Sequence, residues 1–306
     1  MKTNELISLY RECFPYDLRD EYTLNSVFSD KTSDILTRED ENGRIIASAV
    51  VHKNAVYMLA VNKNYRGCGI GSSLLEECEK IVANNGYDKI KIGVGDTYLM
   101  PGVPTNVQPY SEKLGKEDLY PELSNSAVEF FRKRGYIHSY GDSNCFDMHM
   151  KLKDFDAKKC EIDMPCTIDK IVYRVAEVSD ISKITDCTDD AEADFTKYYR
   201  NESMYTGGCD SDEIVIGAFS GDIAAGALIV NRESDTLGSI GCTSVRNDFR
   251  GRKIATRMVT LGVKTLCGRG LTDAFLGYTY SGLDKLYSAA GFKICVYYFM
   301  AEKVLK

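Results

Sequence analysis

Histidine is nearly missing from this sequence, with three among 306 residues. Spread as His52, His138 and His149, they form no ligand cluster, and no metal site is expected. No segment reaches 18 consecutive apolar residues, and the N-terminus has mixed charge without an apolar core, so neither a membrane span nor a secretory leader is expected. Cations are not in excess either. Lys and Arg number 38 against 45 Asp and Glu, a formal net charge of −7, which argues against a nucleic-acid surface and is compatible with a basic small-molecule partner. The 11 cysteines lack disulfide or zinc spacing, so free thiols and a cytoplasmic home are expected. Proline is scarce, and four of the six fall between residues 95 and 124.

One further absence narrows the chemistry. A nucleotide-hydrolysing phosphate loop ends Gly-Lys-Ser/Thr, and a dinucleotide fold needs glycines at the first, third and sixth positions. Neither occurs. The chain instead has Arg66-Gly67-Cys68-Gly69-Ile70-Gly71-Ser72, after an apolar run from Ala55 to Val61 and before an amphipathic stretch from Ser72 to Asn84. This predicts strand, glycine turn, helix start. The first N–H groups of a helix lack internal acceptors, its dipole favours an anion there, and glycine lets a ligand approach the backbone. A phosphate-binding pocket is expected.

The pattern returns in register. Val245-Arg246-Asn247-Asp248-Phe249-Arg250-Gly251-Arg252-Lys253-Ile254-Ala255-Thr256 repeats Val61 to Ser72. Downstream, Phe130-Phe131-Arg132-Lys133-Arg134-Gly135-Tyr136 is matched by Leu286-Tyr287-Ser288-Ala289-Ala290-Gly291-Phe292. Each reads as a short helix, a Gly cap and an aromatic opening the next strand. Arg66 and Gly135 are 69 positions apart but Arg250 and Gly291 only 41. The excess is the proline- and tyrosine-bearing insert at about 95–124, expected either to line a cleft or to cover the join between halves.

Arg-x-x-Gly-x-Gly after a strand resembles the acetyl-coenzyme A diphosphate loop of the Gcn5-related N-acetyltransferases (GNAT family). The duplication resembles the family's tandem members, in the two-domain arrangement of mycothiol synthase. The resemblance implies an α/β fold of two tandem domains, each a central mixed, mostly antiparallel sheet flanked by helices. They are expected at 1–155 and 169–306, joined by a charged linker at 156–168. It implies acetyl-coenzyme A as donor and a primary amine of a small molecule as acceptor, joined by direct attack in a ternary complex. The expected donor-binding residues are Val61, Arg66, Gly67, Cys68, Gly69, Ile70, Gly71 and Ser72, and in the second half Val245, Arg250, Gly251, Arg252, Lys253, Ile254, Ala255 and Thr256. Neither nucleic acid nor membrane is an expected partner, and the chain is expected as a monomer or homodimer.

In the family, a tyrosine on the last helix protonates the departing thiolate. Tyr287 holds that position, as that acid or as a helical aromatic packed under the sheet with its hydroxyl bonded to backbone, whereas the first half has Phe131, which has no proton to give. Lys253 stands where the first loop has Gly69, which weakens the second loop if left-handed backbone is required there and is tolerated if the residue is helical. Turnover is therefore expected in the second half, with the first as donor binder or structural partner. Two alternatives stay open: turnover in the first half, or an acyl-coenzyme A-binding protein without turnover. No base is singled out; Asp235, Glu192 and Asp194 read as surface carboxylates and His52 as a hairpin residue. Cys68 and Cys242 have no histidine placed to activate them.

The remaining periodicities predict two helices, Glu5–Phe14 and Leu18–Phe28, with no convincing strand before them. A hairpin is expected across Asn42-Gly43. Cys145–Leu152 reads as the last strand of the first half and Lys293–Met300 as that of the second.

Overall fold

Helices α1 (Thr3–Cys13) and α2 (Glu21–Ser29) open the chain, and no strand precedes them among the described residues. The computed structural model describes residues 3–15, 17, 21–93, 101–105, 125–139, 145–156, 163–280 and 282–305. Most of the insert (95–100 and 106–124) and part of the linker (157–162) lie outside these. The chain divides into two units: 1–108, 117–146 and 296–306 form the first, and 109–116 with 147–295 the second.

In the first unit, α1 turns Leu6, Leu9 and Tyr10 inward at helical spacing. The strands β1 (Asp34–Glu39) and β2 (Ile45–His52) form the expected hairpin. Gly43 takes the left-handed turn position at φ 75°, and Asp40 and Arg44 close the turn by a 2.9 Å backbone bond. Strand β3 (Ala55–Val61) runs antiparallel to β2 and leads to α3 (Ile70–Asn84). That helix buries Leu74, Leu75, Cys78 and Val82, the stripe of an amphipathic helix packed on a sheet. Then follow β4 (Lys89–Ile92), β5 (Val103–Thr105), α4 (Ser126–Arg132) and β6 (Ile137–His138).

The second unit takes β7 (Cys145–Lys151) from Asp147 onward, then β8 (Cys166–Ile168) and β9 (Ile171–Val175). Helices α5 (Ile181–Ala191), α6 (Ala193–Tyr199) and α7 (Ser203–Thr206) come next, and β10 (Glu213–Ser220), β11 (Ile223–Arg232) and β12 (Leu237–Val245) form an antiparallel meander. Helix α8 (Ile254–Gly268), β13 (Asp273–Tyr280), α9 (Asp284–Ser288) and the start of β14 (Lys293–Phe299) follow, while the rest of β14 and β15 (Ala301–Val304) belong to the first unit.

Both sheets are mixed and mostly antiparallel, flanked by helices, as the family resemblance implies. Their closing strands, however, are exchanged. In the first unit the order is β1-β2-β3-β4-β15-β6, and in the second β7 stands between β13 and β14. The stretch read as the first half's last strand thus serves the second sheet. Residues 301–304, beyond the strand expected to close the second half, complete the first by pairing with β4 and β6.

Candidate coenzyme cleft

In both units a single 3₁₀ turn and an arginine folded back on the strand build the loop, and the first adds a side-chain cap. Asn62 ends β3 and caps a single 3₁₀ turn, Lys63–Tyr65, its side chain accepting from Asn64 N–H at 2.9 Å. Arg66 Nε donates back to the Val61 carbonyl at 2.9 Å, and in the second loop Arg250 Nε does the same to Val245 at 3.3 Å. The arginine in each loop therefore folds the turn onto its strand. Gly67 and Gly251 both have φ 79°. Gly69 is the N-cap of α3 in left-handed conformation and offers no capping side chain. The first intrahelical bond to it is Ser73 N–H to Gly69 O at 3.0 Å. Helix geometry thus leaves the N–H groups of Ile70, Gly71 and Ser72 directed out of the helix start, where they suit an anion.

A cavity of about 790 Å³ runs from this loop along β3. Among the described residues, β3 and β4 pair in parallel only at Ala55–Lys91 and Val56–Ile92, and the last bond across is Gly93 N–H to Val56 O at 2.9 Å. Among the described residues, the β4-facing backbone of β3 past Val56 has no strand partner, which suits it to pair with a ligand. Gly102, Val103 and Pro104 of the insert furnish part of the wall. It lies backbone on backbone: a Cβ on Gly93 would stand 2.5 Å from Pro101 C and O, and one on Gly102 2.5 Å from Phe299 O. Strand β5 pairs with Tyr297–Phe299, and Asn125, which caps α4, donates to Pro104 O at 3.0 Å.

Of the expected residues, Val61, Arg66, Gly67, Gly69, Gly71 and Ser72 line this cavity. Cys68 is exposed on the turn, and Ile70 is the first residue of α3. Arg134 was not anticipated. Its guanidinium stacks 3.8 Å from the Phe130 ring centroid and donates to Ser72 Oγ and to Phe130 O, which sets a fixed cation at the helix start. Its repeat partner is Ala290, so comparing the two halves position by position could have found it.

In the second unit, Val245 ends β12 and Arg252 lies over Phe249 at 4.9 Å. Ile254, Ala255 and Thr256 form the first turn of α8. Lys253 is the N-cap at φ 61°, ψ 18°, so the tolerated helical alternative does not apply. The residue occupies the left-handed position that Gly69 fills in the first loop. Strands β12 and β13 pair only over Leu237–Ser239 and then part. Cys242, at φ 50°, sits where the β11–β12 register shifts.

Tyr287, on α9, donates to Thr243 Oγ1 at 3.1 Å, which holds its hydroxyl against this stretch of β12. Burial pushes its phenol above the ordinary value, and the Thr243 bond only partly offsets this, so the group is protonated at neutral pH. Tyr199 donates to Cys242 O at 2.6 Å. The Cys242 thiol is pushed up to about 12, chiefly by burial, and is no thiolate nucleophile at neutral pH. Phe131 packs edge-on to Phe130 and Tyr136 and lines the first unit's cavity.

Asp235, Glu192 and Asp194 are exposed, in keeping with surface carboxylates. His52 is engaged by Asp30 at 3.6 Å and by Thr32 and Ser33 hydroxyls at 3.3 Å. Sequence reasoning missed Glu213, whose carboxyl is raised by burial and by nearby Glu233. Among the described residues no cluster of His, Cys, Asp and Glu could hold a metal, and no helix is long and apolar enough to cross a membrane.

Residues 3–99 match the sequence model of the acetyltransferase (GNAT) family. No curated protein matches the sequence. Among solved structures, the chain resembles a GCN5-related glucosamine N-acetyltransferase region of a fungal multi-domain GH3 β-N-acetylglucosaminidase. That match has 18% identity and a TM-score of 0.75, covering 98% of this chain and 37% of the fungal one. A GCN5-related N-acetyltransferase from Sphaerobacter thermophilus is 16% identical with a TM-score of 0.70, covering 99% of this chain and 92% of that one. A tandem GNAT protein from the clavulanic acid biosynthesis pathway is 13% identical with a TM-score of 0.68, covering 99% and 95%. At such identities these likenesses bear on the fold, and the fungal chain is far longer than this one. Residues 3–99 thus carry the sequence signature of the GNAT family, and the fold of the chain is similar to that of a tandem GNAT protein.

Proposed function

We propose that the protein transfers the acetyl group of acetyl-coenzyme A to a primary amine of a small molecule by direct attack in a ternary complex. The observation that carries this reading is the first unit's cleft. It joins outward N–H groups and a fixed arginine at one end to a strand edge unpaired among the described residues at the other, which suits a ligand with a diphosphate at one end and a thioester some distance along. The loop would hold the diphosphate, and the freed β3 backbone would pair with the pantetheine and orient the thioester.

Two placements of turnover follow. The second unit is favoured by Tyr287, whose protonated hydroxyl is held by Thr243 in the part of β12 beyond its pairing with β13, suited to protonate a thiolate. Labour would then be divided between the units, as in mycothiol synthase-type proteins. The first unit is favoured by its cleft. The test is release of free thiol from acetyl-coenzyme A in the presence of single amines. The name of the fungal relative makes glucosamine the first to assay, and polyamines and amino acids follow. Calorimetry with acetyl-coenzyme A runs alongside. Binding without thiol release from any amine would leave an acyl-coenzyme A-binding protein, and no binding would end the proposal.

A further inference from the structure

We propose that in the first unit the hydroxyl meeting the thioester comes from the strand, as Tyr57, in place of the helix residue that is Phe131. The inference rests on the first unit's cleft holding acetyl-coenzyme A.

Tyr57 is 3% exposed, and its hydroxyl is buried without a hydrogen-bond partner among the described residues. Leaving such a group unsatisfied costs about 1–3 kcal/mol, and the residue lines the cleft. Its place in the sheet is singular. Val50 pairs with Met58 and Val51 with Val56, so Tyr57 is the extra residue of a bulge, and among the described residues it is the first of β3 beyond the parallel pairing with β4. Bulges re-aim side chains and recur beside active sites. The ring is held by stacking on His52, with centroids 5.6 Å apart and planes 18° apart, and His52 is itself tied to Asp30.

The second unit supplies an independent argument. In the repeat, Tyr57 corresponds to Gly241 and Phe131 to Tyr287. Each unit therefore has one tyrosine between the two positions, on the strand in the first and on the helix in the second. The hydroxyl has changed element without being lost.

The step balances simply. The amine nitrogen attacks the thioester carbon, the C–N bond forms and the C–S bond breaks. Tyr57 gives its proton to the departing sulfur, and the surplus proton on nitrogen returns through water to the phenolate. The products are the amide and the free thiol.

The test uses the full chain, titrated with acetyl-coenzyme A and with desulfo-coenzyme A, which lacks the thioester. The first-unit site is identified as the binding lost in Gly71→Asp. Tyr57→Phe removes a hydroxyl without a partner among the described residues, so it keeps the melting temperature. We expect it to weaken acetyl-coenzyme A about 5–10-fold and to leave desulfo-coenzyme A unchanged, with Phe131→Tyr added to Tyr57→Phe restoring part of the loss. Equal affinities in wild type and Tyr57→Phe, or an equal loss for both ligands, overturn the role of Tyr57 while leaving the cleft intact. Wild-type protein with no Gly71→Asp-sensitive binding overturns the cleft itself, and Tyr57 with it.

Discussion

Gly69 and Lys253 hold the same backbone conformation at the starts of their helices, with φ of 82° and 61°. The glycine does so freely, whereas a lysine there sets its Cβ against the following carbonyl at a cost of about 1–2 kcal/mol. Lys253→Gly is therefore expected to raise the thermal stability of the chain by roughly 1 kcal/mol. Differential scanning calorimetry measures this, and an unchanged or lowered melting temperature would contradict it. Affinity for acetyl-coenzyme A reports whether the lysine compensates by meeting phosphate.

Gly71 lies in the first turn of α3, where a Cβ would make ordinary contacts with Phe130 and Val61 at 3.6 Å. Gly71→Asp fits sterically and places a carboxylate at a helix start, which favours the helix by about 0.3–1 kcal/mol. The same charge would repel a diphosphate. Retained or raised melting temperature with loss of acetyl-coenzyme A binding in the first unit is the expected pair of results. Unfolding would show that the site tolerates no side chain.

For Tyr287→Phe, thiol release is expected to fall about 10²-fold or more if the second unit turns over, with KM for the donor little changed. Loss of the bond to Thr243 costs about 1 kcal/mol of stability. Steady-state kinetics beside a melting curve separate the two effects. A variant that melts lower but turns over at the wild-type rate places Tyr287 in the core only.

Asp180 is buried between α5 and the end of β9 and takes a two-pronged ion pair from Arg174 at 2.6 and 2.9 Å. Burial works to raise its carboxyl, but the Arg174 bonds and the Glu177 N–H prevail and hold it below the ordinary value. Its stabilising effect is thus complete above the ordinary carboxylate range and is lost as pH falls through the depressed value. Asp180→Asn should flatten the acid limb of a stability-versus-pH curve. Urea titrations at several pH values test this, and an identical acid limb in the variant would remove the assignment.

What could be read in advance were features whose causes are local. The Asn42-Gly43 turn, the two glycine-bearing loops and the stripe of α3 each follow from the residues that form them. Pairing does not. The alternation in Cys145–Lys151 fixes which side chains share a face and says nothing of which strand lies alongside, so its membership of the second sheet was invisible. Ala301–Val304 was overlooked for the same reason. Tyr57 looked like any strand aromatic, because only the register shift between β2 and β3 singles it out. Lys253 was legible as a substitution, but its backbone conformation was left undetermined between two readings.

The exchange of closing strands has a consequence for how the protein comes into being. During synthesis the first sheet waits with a gap between β4 and β6 until Ala301–Val304 has been made, although most of its other strands emerged long before. Neither half can be cut away and keep a finished sheet, so a chain divided near residue 155 should yield fragments with unpaired strand edges, prone to sticking to one another.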